Sequence, residues 1–435
     1  MSDKLNVCIL SDSFPPLIDG VANAALNYAD IIQRQYGNAV VAAPNYPGIE
    51  DNYPYRVVRY PSINTTKSIG YRTGIPYWPS TARDLAKCDF DVIHSHCPFV
   101  STLIARSLRA SVNAPIVLTY HTKYDIDIKN AVELGFIQTA AIKFIVSNIE
   151  ACDEVWVVSK GAGENLRSLG YTGNYIVMEN GADFPQGSSS PEEIAAVSAE
   201  YRLEEDVPVF LFVGRMMWYK GIRLILDGLS RAKKQGLRFQ MLFVGDGGDI
   251  GEIKECARML RLTDDCIFTG IIKDRHKLRA LFSRADLFLF PSTFDTSGLV
   301  VREAAACGLA SVLIRGSCAA EGVVDGYHGV LIEENSVALS DAVLRLSSDR
   351  GIMNTLGENA MRELYTSWED AVGRATVRYQ IVRENYECTQ RYFDFQDNKL
   401  LKLADDIENA MEKLRQYREK YKETNKRSKI RLRNK

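Results

Sequence analysis

Short apolar runs recur along the chain with room for one helix between each and the next. The first series falls at residues 7–10, 40–43, 57–60, 92–94, 116–120, 154–159 and 175–178. Runs such as Ile116-Val117-Leu118 are continuous rather than alternating, the pattern of parallel strands covered on both faces. Strands alternating with helical stretches in this way predict a doubly wound α/β domain. Within it, residues 136–152 carry Phe136, Ile137, Ala140, Phe144, Ile145 and Ile149 at helical spacing, which reads as the core face of a helix.

The pattern breaks at Asn180. The stretch Asn180-Gly-Ala-Asp-Phe-Pro-Gln-Gly-Ser-Ser-Ser-Pro is polar and rich in turn formers, and after a helix at 191–201 a second α/β series begins. Its strands are expected at 209–213, 239–244, 266–269, 287–290, 311–314 and 330–332. Two Rossmann-like domains are therefore predicted, 1–185 and 186–365, with ligand binding in the cleft at the carboxyl ends of their strands. Helices are expected at 336–347, 352–365 and 368–386. The remainder, 391–435, reads as an amphipathic helical tail with Leu400, Leu401, Ala404, Ile407, Met411 and Leu414 on one face. It ends in Lys420, Lys422, Lys426, Arg427, Lys429, Arg431, Arg433 and Lys435, opposed there by Glu423. Such a tail either sits on an anionic membrane surface or docks on the body and leaves a solvated end.

Composition narrows the class. The chain has 435 residues, 46% hydrophobic and 25% charged, the make-up of an ordinary soluble globular protein large enough for two full cores. A formal net charge of -2 and a pI near 6.3 remove any global electrostatic case for nucleic-acid binding. Nine cysteines are dispersed without a Cys-x-x-Cys pair, and there are five histidines. That usage suggests reduced thiols, with neither a disulfide framework nor a metal site. The first apolar run is too short for a secretory signal, and no later run reaches the length of a membrane span. A cytoplasmic protein is predicted, with any membrane contact peripheral.

Candidate chemistry concentrates between Phe290 and Gly308, where Phe-Pro-Ser-Thr-Phe-Asp-Thr-Ser-Gly-Leu-Val-Val-Arg-Glu-Ala-Ala-Ala-Cys-Gly reads as a strand end, a loop and a helix. Asp295 in the loop and Glu303 in the helix are separated by about 12 Å at helical rise. Between them the backbone N–H groups of Gly298, Leu299 and Val300 open the helix, a ready site for a phosphate. Carboxylates are pure acceptors and suit vicinal hydroxyls, so the layout fits a nucleotide sugar laid along the stretch. The plain alternative is a loop aspartate beside a helix end and a solvated glutamate. At the end of the strand at 209–213, Arg215 and Lys220 are two cations five apart, able to clamp a diphosphate and stabilise its departure. In the first domain Gly20 follows strand one and opens a helix, where it either lets backbone approach a phosphate or sugar or serves only as a turn glycine. His94 and His96 have metal-like spacing for a strand with no third ligand evident; they read as structural or acceptor-side groups. A nicotinamide enzyme is disfavoured, because Gly-x-Gly-x-x-Gly is missing after the first strand and Val244-Gly245-Asp246-Gly247-Gly248 is only a loose echo of it.

Phe-Val-Gly-Arg, then Lys-Gly, then Val244-Gly245-Asp246-Gly247, then Pro-Ser-Thr-Phe-Asp-Thr-Ser-Gly-Leu-Val-Val-Arg-Glu-Ala together resemble the retaining glycosyltransferases of family 4. The resemblance runs from residue 5 to about 390. It implies a GT-B fold, two Rossmann-like doubly wound α/β domains facing a cleft, with the donor site in the second, residues 366–390 crossing back to the first domain, and a C-terminal helical extension. By it, Arg215 and Lys220 hold the donor diphosphate, Glu303 binds the ribose hydroxyls and Asp295 faces the donor sugar. The family usually has a glutamate at the position of Asp295 and often an aromatic at that of Ser297. His121, in Thr119-Tyr120-His121-Thr122-Lys123-Tyr124, matches the family histidine that reaches the donor sugar. Many members have two glycines where this chain has Asp19-Gly20, a variant resembling those that glycosylate lipids. His-Ser-His-Cys-Pro-Phe, the Tyr-His-Thr-x-Tyr segment and Gly70-Tyr71-Arg72 resemble bacterial diacylglycerol glucosyltransferases, which implies an acceptor side that includes Tyr124 and His96. The aromatic and basic loop at 53–78 suits a membrane-surface acceptor.

The implied activity is transfer of a hexose from a UDP-sugar to a hydroxyl acceptor, a membrane lipid such as diacylglycerol or else a glycan. No cofactor or metal is implied, fixed cations and helix dipoles standing in for one. A catalytically silent partner subunit of the same fold and a sugar-nucleotide epimerase are the competing readings.

Overall fold

The computed structural model describes residues 4–389, except residues 18, 67–70, 77–78, 126–127 and 129–134. The tail at 391–435 lies outside the described residues, as do Gly70 and Trp78 of the aromatic loop. By contacts the chain divides into two compact units. One holds the chain up to Thr119, Lys143–Val155 and the chain from Arg378; the other holds Tyr120–Ile142 and Trp156–Val377.

In chain order the strands are β1 (Leu5–Leu10), β2 (Gly37–Pro44), β3 (Arg56–Tyr60), β4 (Ser62–Ile63), β5 (Thr73–Gly74), β6 (Val92–Ser95), β7 (Ile116–Tyr120), β8 (Glu154–Val157) and β9 (Ile176–Val177). They continue with β10 (Val209–Val213), β11 (Gln240–Val244), β12 (Cys266–Gly270), β13 (Leu287–Phe290), β14 (Ser311–Ile314) and β15 (Gly329–Ile332). One sheet runs β3-β2-β1-β6-β7-β8-β9 and the other β12-β11-β10-β13-β14-β15. In the inner strands of the second sheet the continuous apolar runs are buried: Phe210, Leu211, Phe212, Leu242, Phe243, Phe288 and Val312 have no exposed surface, as expected where helices cover both faces.

The second sheet sets up the site. β10 pairs in parallel with β11 on one side and β13 on the other, so the strand order reverses between β10 and β13. Loops leaving the carboxyl ends of two such strands diverge and leave a crevice, the place where doubly wound sheets bind ligands. Here those two loops carry Arg215 and Lys220 after β10, and Asp295 after β13.

The strand series predicted from the apolar runs is present, with shifts at the ends. Ser159, read as strand, instead caps the helix Lys160–Ser168, its hydroxyl accepting from the Ala162 N–H. The ribbon of β4 and β5 was not expected, since two-residue strands carry no periodicity to read. One expectation is corrected. In the helix Gly135–Glu150, Ile145 and Ile149 are buried, but Ile137 and Phe144 are 40% and 45% exposed, and Ala140 is exposed too. Ile137, Ala140 and Phe144 lie on one stripe and Ile145 and Ile149 on another about 100° round the helix, and of these only the second is buried, while the Phe136 side chain lies outside those described.

Candidate functional site

After β10 the chain passes through Gly214 and Arg215 into a short 3₁₀ turn, Trp218–Lys220. Gly221 follows in the left-handed region, φ 78°, and a side chain there would overlap the Pro291 carbonyl oxygen. Glycine thus lets the turn press against the loop leaving β13. The result is a direct ion pair: Lys220 Nζ lies 2.7 Å from Asp295 Oδ1, with the lysine buried. The other oxygen, Oδ2, accepts from the Ser292 hydroxyl at 2.5 Å. Tyr219 and Phe294 flank the ammonium, their ring centroids 5.7 and 5.4 Å from Nζ. Arg215 is exposed, its guanidinium 5.8 Å from the centre of the Tyr219 ring. The crevice is therefore walled by a neutralised pair and one further cation, next to aromatic faces that strengthen the hold on cations.

The loop from β13 runs into the helix Leu299–Ala306. Gly298 is its N-cap at φ 57°, ψ 43°, and no side chain caps the first turn. A side chain at Gly298 would press to 2.8 Å from Ala319 Cα. The first-turn N–H groups at Leu299 and Val300 have no intrahelical partner by geometry, which suits an anion. Three hydrogen bonds fix the loop itself. Thr296 Oγ1 donates to the His121 carbonyl at 2.5 Å, Ser159 Oγ donates to the Thr296 carbonyl at 2.5 Å, and Lys123 Nζ reaches the Thr293 carbonyl at 3.2 Å.

Glu303, farther along the same helix, is 7% exposed, so it is not the solvated glutamate of the plain alternative. Burial pushes its carboxyl up to about 7, against the opposing pull of Arg275, whose Nη2 lies 2.5 Å from Oε1. His121 directly follows β7 and is buried, which lowers its imidazole to about 3 and keeps it neutral at physiological pH. Tyr124 is buried with its ring edge-on to Tyr120, centroids 5.5 Å apart.

Two candidates belong to the other unit. Gly20 is the first residue of the helix Gly20–Ile31, where Asp19 accepts from the Val21 and Ala22 N–H groups at 2.9 and 2.8 Å. That turn already holds a negative charge of its own. His96 is fully buried, 4.1 Å from the His94 ring and edge-on to Tyr28, while His94 bonds the Tyr379 and Thr119 hydroxyls at 2.7 Å each. Their surroundings favour the structural reading of the pair. Among the described residues no group of three or more His, Cys, Asp or Glu side chains is placed to hold a metal ion.

Arg275, Ser292, Thr296 and Ser159 join the site without having been singled out in the sequence. Ser292, three before Asp295, had a usable signal, since Ser-x-x-Asp spacing brings hydroxyl and carboxylate together in a tight turn. Arg275 and Ser159 act from segments distant in the chain, and Thr296, though next to Asp295, bonds the carbonyl of the distant His121, which local patterns do not reveal.

Comparison with known proteins places a Glycosyltransferase Family 4 domain at residues 18–184 and a Glycosyl transferases group 1 domain at residues 194–363. An alpha-monoglucosyldiacylglycerol synthase of Streptococcus pneumoniae is 23% identical over 70% of this chain and 70% of its own length. A GDP-mannose-dependent alpha-mannosyltransferase of Corynebacterium glutamicum is 24% identical over 76% of this chain and 77% of its own. Among solved structures, Anabaena HepE in complex with UDP and glucose superposes with a TM-score of 0.67 at 17% identity, covering 86% of this chain and 99% of that one. Its likeness extends to the architecture described above.

Proposed function

We propose, for a chain that belongs to the group 1 and family 4 glycosyltransferases of GT-B fold, that it moves a hexose from a nucleoside diphosphate sugar to a hydroxyl of a membrane lipid such as diacylglycerol, with retention at the anomeric carbon. The observation that carries the reading is the pairing of Lys220 with Asp295 in the loop that runs straight into the uncapped helix at Gly298. A diphosphate set against that N-terminus takes hydrogen bonds from the Gly298, Leu299 and Val300 N–H groups and charge from Arg215 and Lys220. These interactions grow as the bond to the sugar breaks and negative charge moves onto the leaving oxygen.

Asp295 is the acceptor for hydroxyls of the donor sugar, and neutral His121 is the group that orients that sugar. Retention follows when the acceptor attacks from the face the diphosphate leaves, its proton passing to the departing phosphate oxygen; no protein nucleophile is invoked, and no cofactor. Tyr124, which is buried, is the weaker member of the proposed site, and Gly20 and His96, which belong to the other unit, carry no step of it. A lipid acceptor is supported by the synthase relative, which is named for alpha-monoglucosyldiacylglycerol. No helix among the described residues is long and apolar enough to cross a membrane, so the proposal has the enzyme meet its lipid at the surface.

UDP-hexoses are the first donors to test, since HepE was solved with UDP, and GDP-mannose is the competitor named by the mannosyltransferase relative. A panel of nucleotide sugars is screened for nucleotide release with and without diacylglycerol, and the product's anomeric configuration is read by NMR. Lipid-dependent release with an α-glycoside product supports the reading. Release that requires a glycan instead overturns the lipid acceptor, and a β-glycoside overturns retention.

A further inference from the structure

Arg275 heads the helix Arg275–Arg284 and has no part in the mechanism above. Its Nη2 lies 2.5 Å from Glu303 Oε1 and 3.0 Å from Asp183 Oδ2, and its guanidinium carbon is 4.4 Å from the centre of the Phe184 ring. Asp183 is fixed from its other side, Oδ1 accepting from Trp368 Nε1 at 2.7 Å. The guanidinium is thus stacked on a ring and shared between two carboxylates, while 45% of the side chain meets solvent. Glu303 is buried beneath it.

A buried carboxylate deprived of a cation takes up a proton, and the acid then presents a donor where a ribose diol needs acceptors. We propose that Arg275 is a positioning residue for the donor: it keeps the Glu303 carboxylate charged and aimed so that it accepts from the ribose hydroxyls of the nucleotide. This rests on Glu303 being the ribose ligand.

The surrounding charges support the assignment. Burial raises the Glu303 carboxyl, Asp183 raises it further, and Arg275 opposes both. Farther along, burial holds the Cys307 thiol up at about 12, against the lowering pull of Arg279, so that thiol stays neutral. Removing Arg275 takes away the cation in contact with Glu303 and also unmasks Asp183.

The test titrates UDP and GDP, each beside its 2′,3′-dideoxy counterpart, into the wild type and the R275Q, R275K and E303Q proteins across neutral pH. The wild type is expected to prefer the ribonucleotide, the preference fading as pH falls through about 7. In R275Q the ribonucleotide binds about tenfold more weakly at neutral pH and recovers in alkali, where Glu303 gives up its proton without the help of a cation. R275K restores most of the preference, dideoxy binding is unchanged throughout, and E303Q loses the preference at every pH.

If E303Q loses the preference while R275Q keeps the wild-type profile, Glu303 remains the ribose ligand and the role of Arg275 is overturned. A loss in R275Q that alkali does not recover and lysine does not rescue makes Arg275 merely structural, which also overturns it. If E303Q keeps the preference, or neither nucleotide binds, the ribose reading fails and this proposal with it.

Discussion

Lys220 and Asp295 hold each other at 2.7 Å across the gap between the loops leaving β10 and β13. The cation proposed for the diphosphate and the acid proposed for the sugar therefore neutralise one another before any donor arrives. Donor entry has to extend this pair or divide it. Replacing either residue alone leaves a poorly solvated charge, whereas replacing both removes the problem. The pair K220M and D295N, with the double variant, is expected to show a coupling of about 1–3 kcal/mol in unfolding free energy, the double being less damaged than the sum of the singles. Additive losses in denaturant titration rule the coupling out.

Glu303 ties stability to pH. Its carboxyl sits near 7 in the folded protein against an ordinary 4.5, so the native state retains a proton that the unfolded chain releases. Net stability from this group accordingly falls as pH rises from about 4.5 to 7, because the folded form has to bury the charge. E303Q is expected to match the wild type near pH 5 and to exceed it by about 1–3 kcal/mol near pH 8. Chemical denaturation at the two pH values measures it, and a wild type that gains on E303Q as pH rises reverses the sign and contradicts the account.

His121 has the opposite dependence. Burial lowers its imidazole from 6.5 to about 3, so the stability it contributes is complete above 6.5 and is lost as pH falls from there toward 3. Relative to the wild type, H121Q should gain about 2 kcal/mol between pH 6.5 and pH 5. The ring resonances of His121 should hold constant over the same interval; a titration seen there by NMR places the residue in a wetter setting than this one.

Much of the layout of the candidate site was legible in the chain. Continuous apolar runs disclose parallel strands because a strand covered on both faces has no polar side to alternate with. The loop-to-helix stretch 290–308 shows its two carboxylates because one local segment carries both. Lys220-Gly221 is readable as a cation and a turn, but its contact with Pro291 is not, since the partner lies in another loop. Arg275 stayed hidden for the same reason: nothing near residue 275 announces a carboxylate at 303. The stripe of the helix Gly135–Glu150 failed because periodicity identifies an apolar face without saying which of two faces the protein covers.

The tail at 391–435 is approachable through its charge. A cluster of Lys and Arg within a Debye length of an anionic surface contributes about 1 kcal/mol per residue. Deleting residues 398–435 is expected to cut sedimentation with anionic liposomes at least tenfold while leaving binding to neutral liposomes unchanged. Undiminished binding to the anionic vesicles removes the membrane role from the tail.

The central claim is that Arg215 and Lys220 stabilise a departing diphosphate, and turnover of the donor identified by the screen tests it most directly. With donor and acceptor saturating, R215A and K220A are each expected to lower kcat about 100-fold or more, the cost of removing one group that stabilises charge in the transition state. R215A should unfold at the wild-type denaturant concentration, because its side chain is exposed. Turnover at the wild-type rate in both variants contradicts the clamp.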